Sequence, residues 1–218
     1  MLLGTVSGQQ PQREASPAVR SIMERAHTLA LASAQVLATA KYHQHRISTD
    51  LDEHGQAIGS PREKSMNGND GLDFSVSTIF DPNRYDYTLD APETFRGQPV
   101  AVLSFHLLAD SSLMLPSIHH DISNGVMNSV FNHLRGKVFV DSASGAIVHF
   151  EAHLADPSLG FALGRVFQAD VSCDQTQVGS SWFPGEVITT FHYQMRNWHF
   201  LFLRTSVVHQ HVVATFGY

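Results

Sequence analysis

One cysteine in 218 residues excludes an internal disulfide. Cys173 therefore says little about redox compartment, because envelope proteins often do without disulfides, and it reads as a small strand residue. No apolar run approaches the roughly 18 residues that a membrane-spanning helix needs. Charge is sparse: Lys and Arg number 14, Asp and Glu 20, and the formal net charge is -6 with His neutral. The Lys and Arg residues do not cluster, which speaks against a nucleic-acid partner, since that would want a concentrated basic face. Signatures of catalysis are missing too. There is no Gly-x-Ser-x-Gly elbow, no phosphate loop, no Gly-x-Gly-x-x-Gly and no His-Glu-x-x-His. Nothing around Cys173 marks it as a nucleophile, so the chain is read as a non-enzyme without a cofactor.

What is present describes a globular protein. The hydrophobic share is 43%, and this length can bury a core without staples, so one domain over residues 17–218 is expected. Residues 1–16 are expected to be a disordered N-terminus or the remnant of a secretion signal whose front is missing. Met1 to Val6 is apolar but too short for a signal core. No Cys near the start offers a lipid anchor.

One helix stands out, over residues 17–40. Ser16 can cap it and Pro17 suits its first turn. Val19, Ile22, Met23, Ala26, Leu29, Ala30, Ser33, Val36 and Leu37 follow helical spacing. Its polar face has too few Lys and Arg for a membrane-surface helix. Strands follow at hairpin spacing: residues 41–51, 85–89, 100–107, 137–140, 146–154, 165–173 and 187–195, then 198–216 as one long strand or two. Arg96-Gly97-Gln98-Pro99, residues 177–181 and Arg196-Asn197 are expected as turns. Residues 57–73 are polar and rich in Gly, Ser and Asn, so a strand there is expected to be short or missing. Residues 74–80 form a short helix or strand. Residues 109–130 read as a flap over one sheet face, with a short helix near 125–134. In the loop 156–164, Phe161 and Leu163 are either a greasy lip or tucked-in anchors.

The stretch 132–154 carries the clearest pattern. Two strand-like runs are joined by Asp141-Ser142-Ala143-Ser144-Gly145, where Gly supplies the left-handed residue that a bulged hairpin turn requires. In the second run, Ala146, Val148, Phe150, Ala152 and Leu154 alternate with Ile147, His149, Glu151 and His153, which puts the first set on a buried face. "Leu-x-Gly-x-Val-x-Val-Asp-x-x-x-Gly-x-Ile-Val", followed by Glu-Ala, resembles the central hairpin of envelope proteins similar to LolA and LolB, the bacterial lipoprotein-localisation factors. Tyr85-Asp86-Tyr87-Thr88-Leu89 followed by residues 93–103, and Trp182-Phe183-Pro184 entering the last strands, fit the same pattern. The resemblance covers residues 85–216. It implies an α+β fold of about eight to ten antiparallel strands. The sheet would be a strongly curved half-barrel, with the N-terminal helix and a short inserted helix or loop covering its concave face. It also implies a place in the periplasm or cell envelope, and binding of a lipid, acyl chain or other hydrophobic ligand, with a membrane surface or lipoprotein as a further partner.

An aromatic concave face suits an acyl chain, which is held by apolar burial and needs little polar readout. The candidate ligand-binding residues are Tyr87, Leu103, Phe105, Phe150 and Phe191. Fourteen His residues sustain an alternative, a metal-binding protein or metal-dependent hydrolase. His43/His45 and His209/His211 are each spaced to share a strand face, and His119-His120-Asp121 adds donors. Spacing cannot show convergence, so no metal ligand is assigned. Glu151 between two histidines reads as part of a solvated stripe. A third reading is an interaction domain that pairs an open sheet edge with a partner strand.

Overall fold

The computed structural model describes residues 16–67, 76, 80–83, 85–107, 130, 133–155, 159–161, 164–199 and 202–218. Helix α1 (Pro17–Leu37) comes first. The strands follow: β1 (His43–Leu51), β2 (Ala57–Asn67), β3 (Tyr85–Leu89), β4 (Glu93–Phe95), β5 (Gln98–Leu107), β6 (Leu134–Asp141), β7 (Ile147–Leu154), β8 (Leu159–Phe161), β9 (Gly164–Val178), β10 (Ser181–His199) and β11 (Phe202–Gly217). They form one antiparallel sheet in the order β2-β1-β11-β10-β9-β7-β6-β5-β3, with β4 paired to β5 and β8 to β9. The sheet does not close on itself, so the fold is the curved α+β half-barrel that the resemblance implies.

The helix starts where its residues allow. The Ser16 hydroxyl accepts from the Val19 N–H at 3.3 Å, and Pro17 occupies the first turn, where its missing N–H costs nothing. Val19, Met23 and Ala26 are buried against the sheet. Two polar contacts fix the helix along its length. Arg25 donates to the Ala143 and Ser144 carbonyls at 3.2 and 2.8 Å, in the β6–β7 turn. The Ser33 hydroxyl accepts from the Trp182 N–H at 3.0 Å, at the start of β10.

The central hairpin turns as its residues predict. Gly145 sits at φ 76°, and the Asp141 carboxylate accepts from both the N–H and the hydroxyl of Ser144 at 2.6 Å. The expected alternation fails at one point. Val140 pairs with Ile147 but Phe139 pairs with His149, so Val148 is an extra residue in a β-bulge. Ile147 therefore packs into the main core, while Val148 turns to the other face beside Val100, Val102 and Phe139. Gly136 is needed for a different reason: a Cβ there would run into the Glu151 carbonyl on β7.

Three further expectations are corrected. Residues 57–67 form the 11-residue edge strand β2, nearly all of it exposed. A strand wet on both faces needs no apolar alternation, so its sequence looks like a loop. Arg196 and Asn197 do not turn; they pair with Thr205 and Arg204 inside the β10–β11 ladder. The loop 156–164 contains β8, whose three residues pair with β9. Most of the expected flap lies outside the described residues, as do residues 1–15, His119, His120 and Leu163. Of the flap, Val130 is described, and it is helical and buried.

Candidate functional site

The concave face is an aromatic floor. Tyr85 and Tyr87 from β3, Leu103 and Phe105 from β5, and Phe150 from β7 are all buried there. The pairings Tyr87↔Phe105 and Leu89↔Leu103, and Leu103↔Val138↔Phe150 across β6, place them on one face. Phe80 fills the centre. Its ring meets Phe105 and Phe150 edge-on at 5.0 and 4.9 Å, and it leans on Tyr85 at 6.4 Å. The Phe80 N–H bonds the Val76 carbonyl at 3.0 Å, which helps to hold Phe80 in place. Val76, Phe80, Val130 and helix α1 thus roof the four candidate residues Tyr87, Leu103, Phe105 and Phe150, which belong to one continuous core. The fifth, Phe191 on β10, is only half-buried and packs at the margin of that core with Tyr193 and Val187.

One polar atom interrupts the apolar floor. The Tyr87 hydroxyl is buried and has no hydrogen-bond partner among the described residues. Burial pushes its proton affinity well up, with Tyr85 and Asp81 adding to the effect, so the phenol stays neutral. A small space, about 20 Å³, lies between the later turns of α1 and the β9–β10 hairpin, beside Ser33, Gln175 and Trp182. That is room for about one water. Cys173 lies in the same core, and burial pushes its thiol far up, which leaves it inert as a nucleophile.

The opposite face is polar and rich in histidine. On β7, His149 stacks on Phe95 at 4.8 Å and meets Phe139 at 5.0 Å. Its Nδ1 lies 2.5 Å from Asp174, which also pairs with Arg96. Arg96 has φ 50°, and with Gly97 at φ 82° it makes the two-residue turn between β4 and β5. Glu151, His153, Asp170, Ser172, Ile188 and Thr190 line an open groove of about 360 Å³ on this face. His43 and His45 stand near one end of β1, opposite Gly217 and Thr215, while His209 and His211 stand on β11 opposite His192 and Thr190. From Thr215 to His211 is four residues, about 13 Å along the strand, so the two pairs do not meet. No three donors among the described residues converge on one ion in the side-chain conformations seen. The outer-face grouping of histidines was not visible in the sequence beyond the two His-x-His spacings, since it depends on strand register.

No protein-family model matches this sequence, and no curated protein is similar to it. Solved structures do align with it. A domain assigned to outer membrane lipoprotein sorting from Vibrio parahaemolyticus covers 89% of this chain and 91% of its own, at 11% identity and TM-score 0.38. A DUF1329-family protein from Desulfovibrio piger aligns over the same shares at 9% identity and TM-score 0.38. A structure of the Pseudomonas aeruginosa MucA/MucB complex aligns over 89% of this chain and 93% of its own, at 9% identity and TM-score 0.29. Likeness at this level says nothing of what this chain binds. No helix among the described residues is long and apolar enough to cross a membrane.

Proposed function

We infer that this chain is a non-enzymatic cell-envelope protein that holds a hydrophobic ligand, such as a lipid or a lipoprotein acyl chain, against the concave face of its half-barrel. The observation that carries this reading is the aromatic floor that runs on past its roof. Tyr87, Leu103, Phe105 and Phe150 lie beneath Phe80 and α1, and the same face continues to Phe191 and Tyr193, which are left half-buried at the margin. The roof is light. Only Val19, Met23, Ala26 and Ser33 of the 21 helical residues are buried, so part of it can yield to a chain-like ligand. Each Å² of apolar ligand surface removed from water contributes about 25 cal/mol, enough for an acyl chain to compete with those contacts. The unpartnered Tyr87 hydroxyl supplies one donor for a headgroup or ester oxygen. The hairpin motifs that resemble lipoprotein-localisation factors support the envelope setting.

A photoactivatable fatty-acid analogue tests this reading. Incubated with the purified chain, irradiated and mapped by peptide mass spectrometry, it should label the strands that carry Tyr87, Phe105, Phe150 and Phe191. Labelling confined to the outer face, or no labelling above that of an unrelated β protein, would overturn it.

A further inference from the structure

We propose that His192, His209 and His211 form a binding site for a divalent transition-metal ion of the zinc type on the outer face of the sheet. Two neighbouring antiparallel strands supply the donors. His209 and His211 are two apart on β11 and share a face, and His192 on β10 pairs directly with His209. Opposed residues place their Cβ atoms about 4.5–5.5 Å apart, and residues two apart on a strand stand about 7 Å apart. Imidazoles on such a triangle reach a common ion at Zn–N distances of about 2.0–2.1 Å by turning about χ1 and χ2. The His192 and His209 rings lie 3.6 Å apart, stacked at 23°, so both rings must turn out of the stack before their lone pairs meet on one ion.

Three surrounding features fit a metal rather than a chance cluster. The Nδ1 of His211 lies 3.1 Å from the Thr190 hydroxyl, the residue paired across from it. With Nδ1–H donating to that oxygen, Nε2 is left as the free ligand, which is the orienting contact that metal-bound histidines generally make. Phe167 packs against His192 with centroids 4.9 Å apart and walls one side of the cluster. On the other side, Thr190 also lines the groove that holds Asp170, Glu151 and His153. Three half-exposed imidazoles leave a fourth position for water or an exogenous ligand, the donor arrangement that zinc takes outside closed structural sites. The pair His43/His45 shares the outer face, but its opposed residues, Gly217 and Thr215 on one side and Asn67 and Ser65 on the other, offer no third imidazole. It is a built-in control.

The untagged full chain is titrated with Zn2+ by calorimetry and with Co2+ by visible absorption. The expected result is one ion per chain, with visible Co2+ bands of a site containing nitrogen donors. His192→Gln, His209→Gln and His211→Gln should each weaken binding at least roughly tenfold, and Thr190→Val about 10- to 100-fold by freeing His211. The double variant His43→Gln/His45→Gln should bind as the parent does. Circular dichroism that matches the parent shows that each variant is folded, and these surface positions are half-exposed. No saturable binding by the parent, or equal loss in the His43/His45 variant, overturns the proposal. Neither result bears on the acyl-chain reading, which concerns the other face.

Discussion

Replacing Phe80 by Ala tests whether the roof over the aromatic floor is packed and whether a ligand can take its place. Phe80 is fully buried and touches Phe105, Phe150 and Tyr85. Removing a buried phenyl ring costs about 3–5 kcal/mol, through lost transfer energy and the cavity left behind. The two edge-on ring pairs account for about 0.5–1.5 kcal/mol each. Against a typical total of about 5–15 kcal/mol, the variant remains folded but clearly weakened. Urea unfolding followed by tryptophan fluorescence reads the loss as a lower midpoint at unchanged slope. The vacated space lies on the proposed ligand path. A fatty acid at a hundred times its Kd should return about 2.7 kcal/mol if it binds only the folded state, and the variant should bind more tightly than the parent because nothing has to be displaced. A loss below about 1 kcal/mol would refute the packing argument. A fatty acid that stabilises parent and variant equally would refute the path.

Three other outcomes follow from the central hairpin and the helix. Gly136→Ala drives a methyl into the Glu151 carbonyl and should lower stability by more than about 2 kcal/mol, read by thermal or urea melting; a neutral result would mean that β6 and β7 can separate there. The hydrogen bonds from Ser144, the largest influence, hold the Asp141 carboxyl below its usual value of 3.8 despite its burial. A depressed carboxylate stabilises the folded state above its unfolded pKa and loses that contribution as pH falls through its folded pKa. The Asp141→Asn variant should therefore be about 1 kcal/mol less stable than the parent at pH 7, with the gap narrowing below about pH 4 in paired melts. A gap independent of pH would assign the effect to shape alone. Arg25→Ala removes two exposed hydrogen bonds from α1 to the hairpin turn and should cost about 0.5–1.5 kcal/mol. It should also speed hydrogen exchange in α1 ahead of the sheet, and uniform exchange would show that the helix is held by packing alone.

Local patterns carried the parts of this fold that were legible in the sequence. Ser16-Pro17 marks the helix start because capping is a contact within four residues. Asp141 and Gly145 mark the hairpin for the same reason. Ala101, Leu103 and Phe105 declare their face through uninterrupted alternation. Where pairing across strands decides, the sequence misleads. Val148 is buried as its alternation suggests, but a bulge moves it from the main core to the smaller cluster on the other face, with Val100, Val102 and Phe139. Arg196-Asn197 has turn character, yet the long β10–β11 ladder carries it through as strand. Residues 57–67 are polar because β2 is exposed along nearly its whole length, and the β1 ladder makes them a strand. The candidate site divides in the same way. The aromatic residues of β3, β5 and β7 could be placed on one face by alternation, but Phe80, which roofs them, comes from a segment with no clear period. The trio of His192, His209 and His211 exists only through register, since His192 and His209 lie 17 positions apart in the chain.

The central claim is that the concave face carries a hydrophobic ligand, and native mass spectrometry tests it most directly. The protein is purified gently from its host and weighed under non-denaturing conditions, then weighed again after organic extraction. The account predicts an excess over the polypeptide mass equal to a lipid or fatty acid, lost on extraction, and reduced when Phe191→Asp places a charge at the margin of the floor. Folded protein that carries no lipid-sized or fatty-acid-sized excess would contradict it.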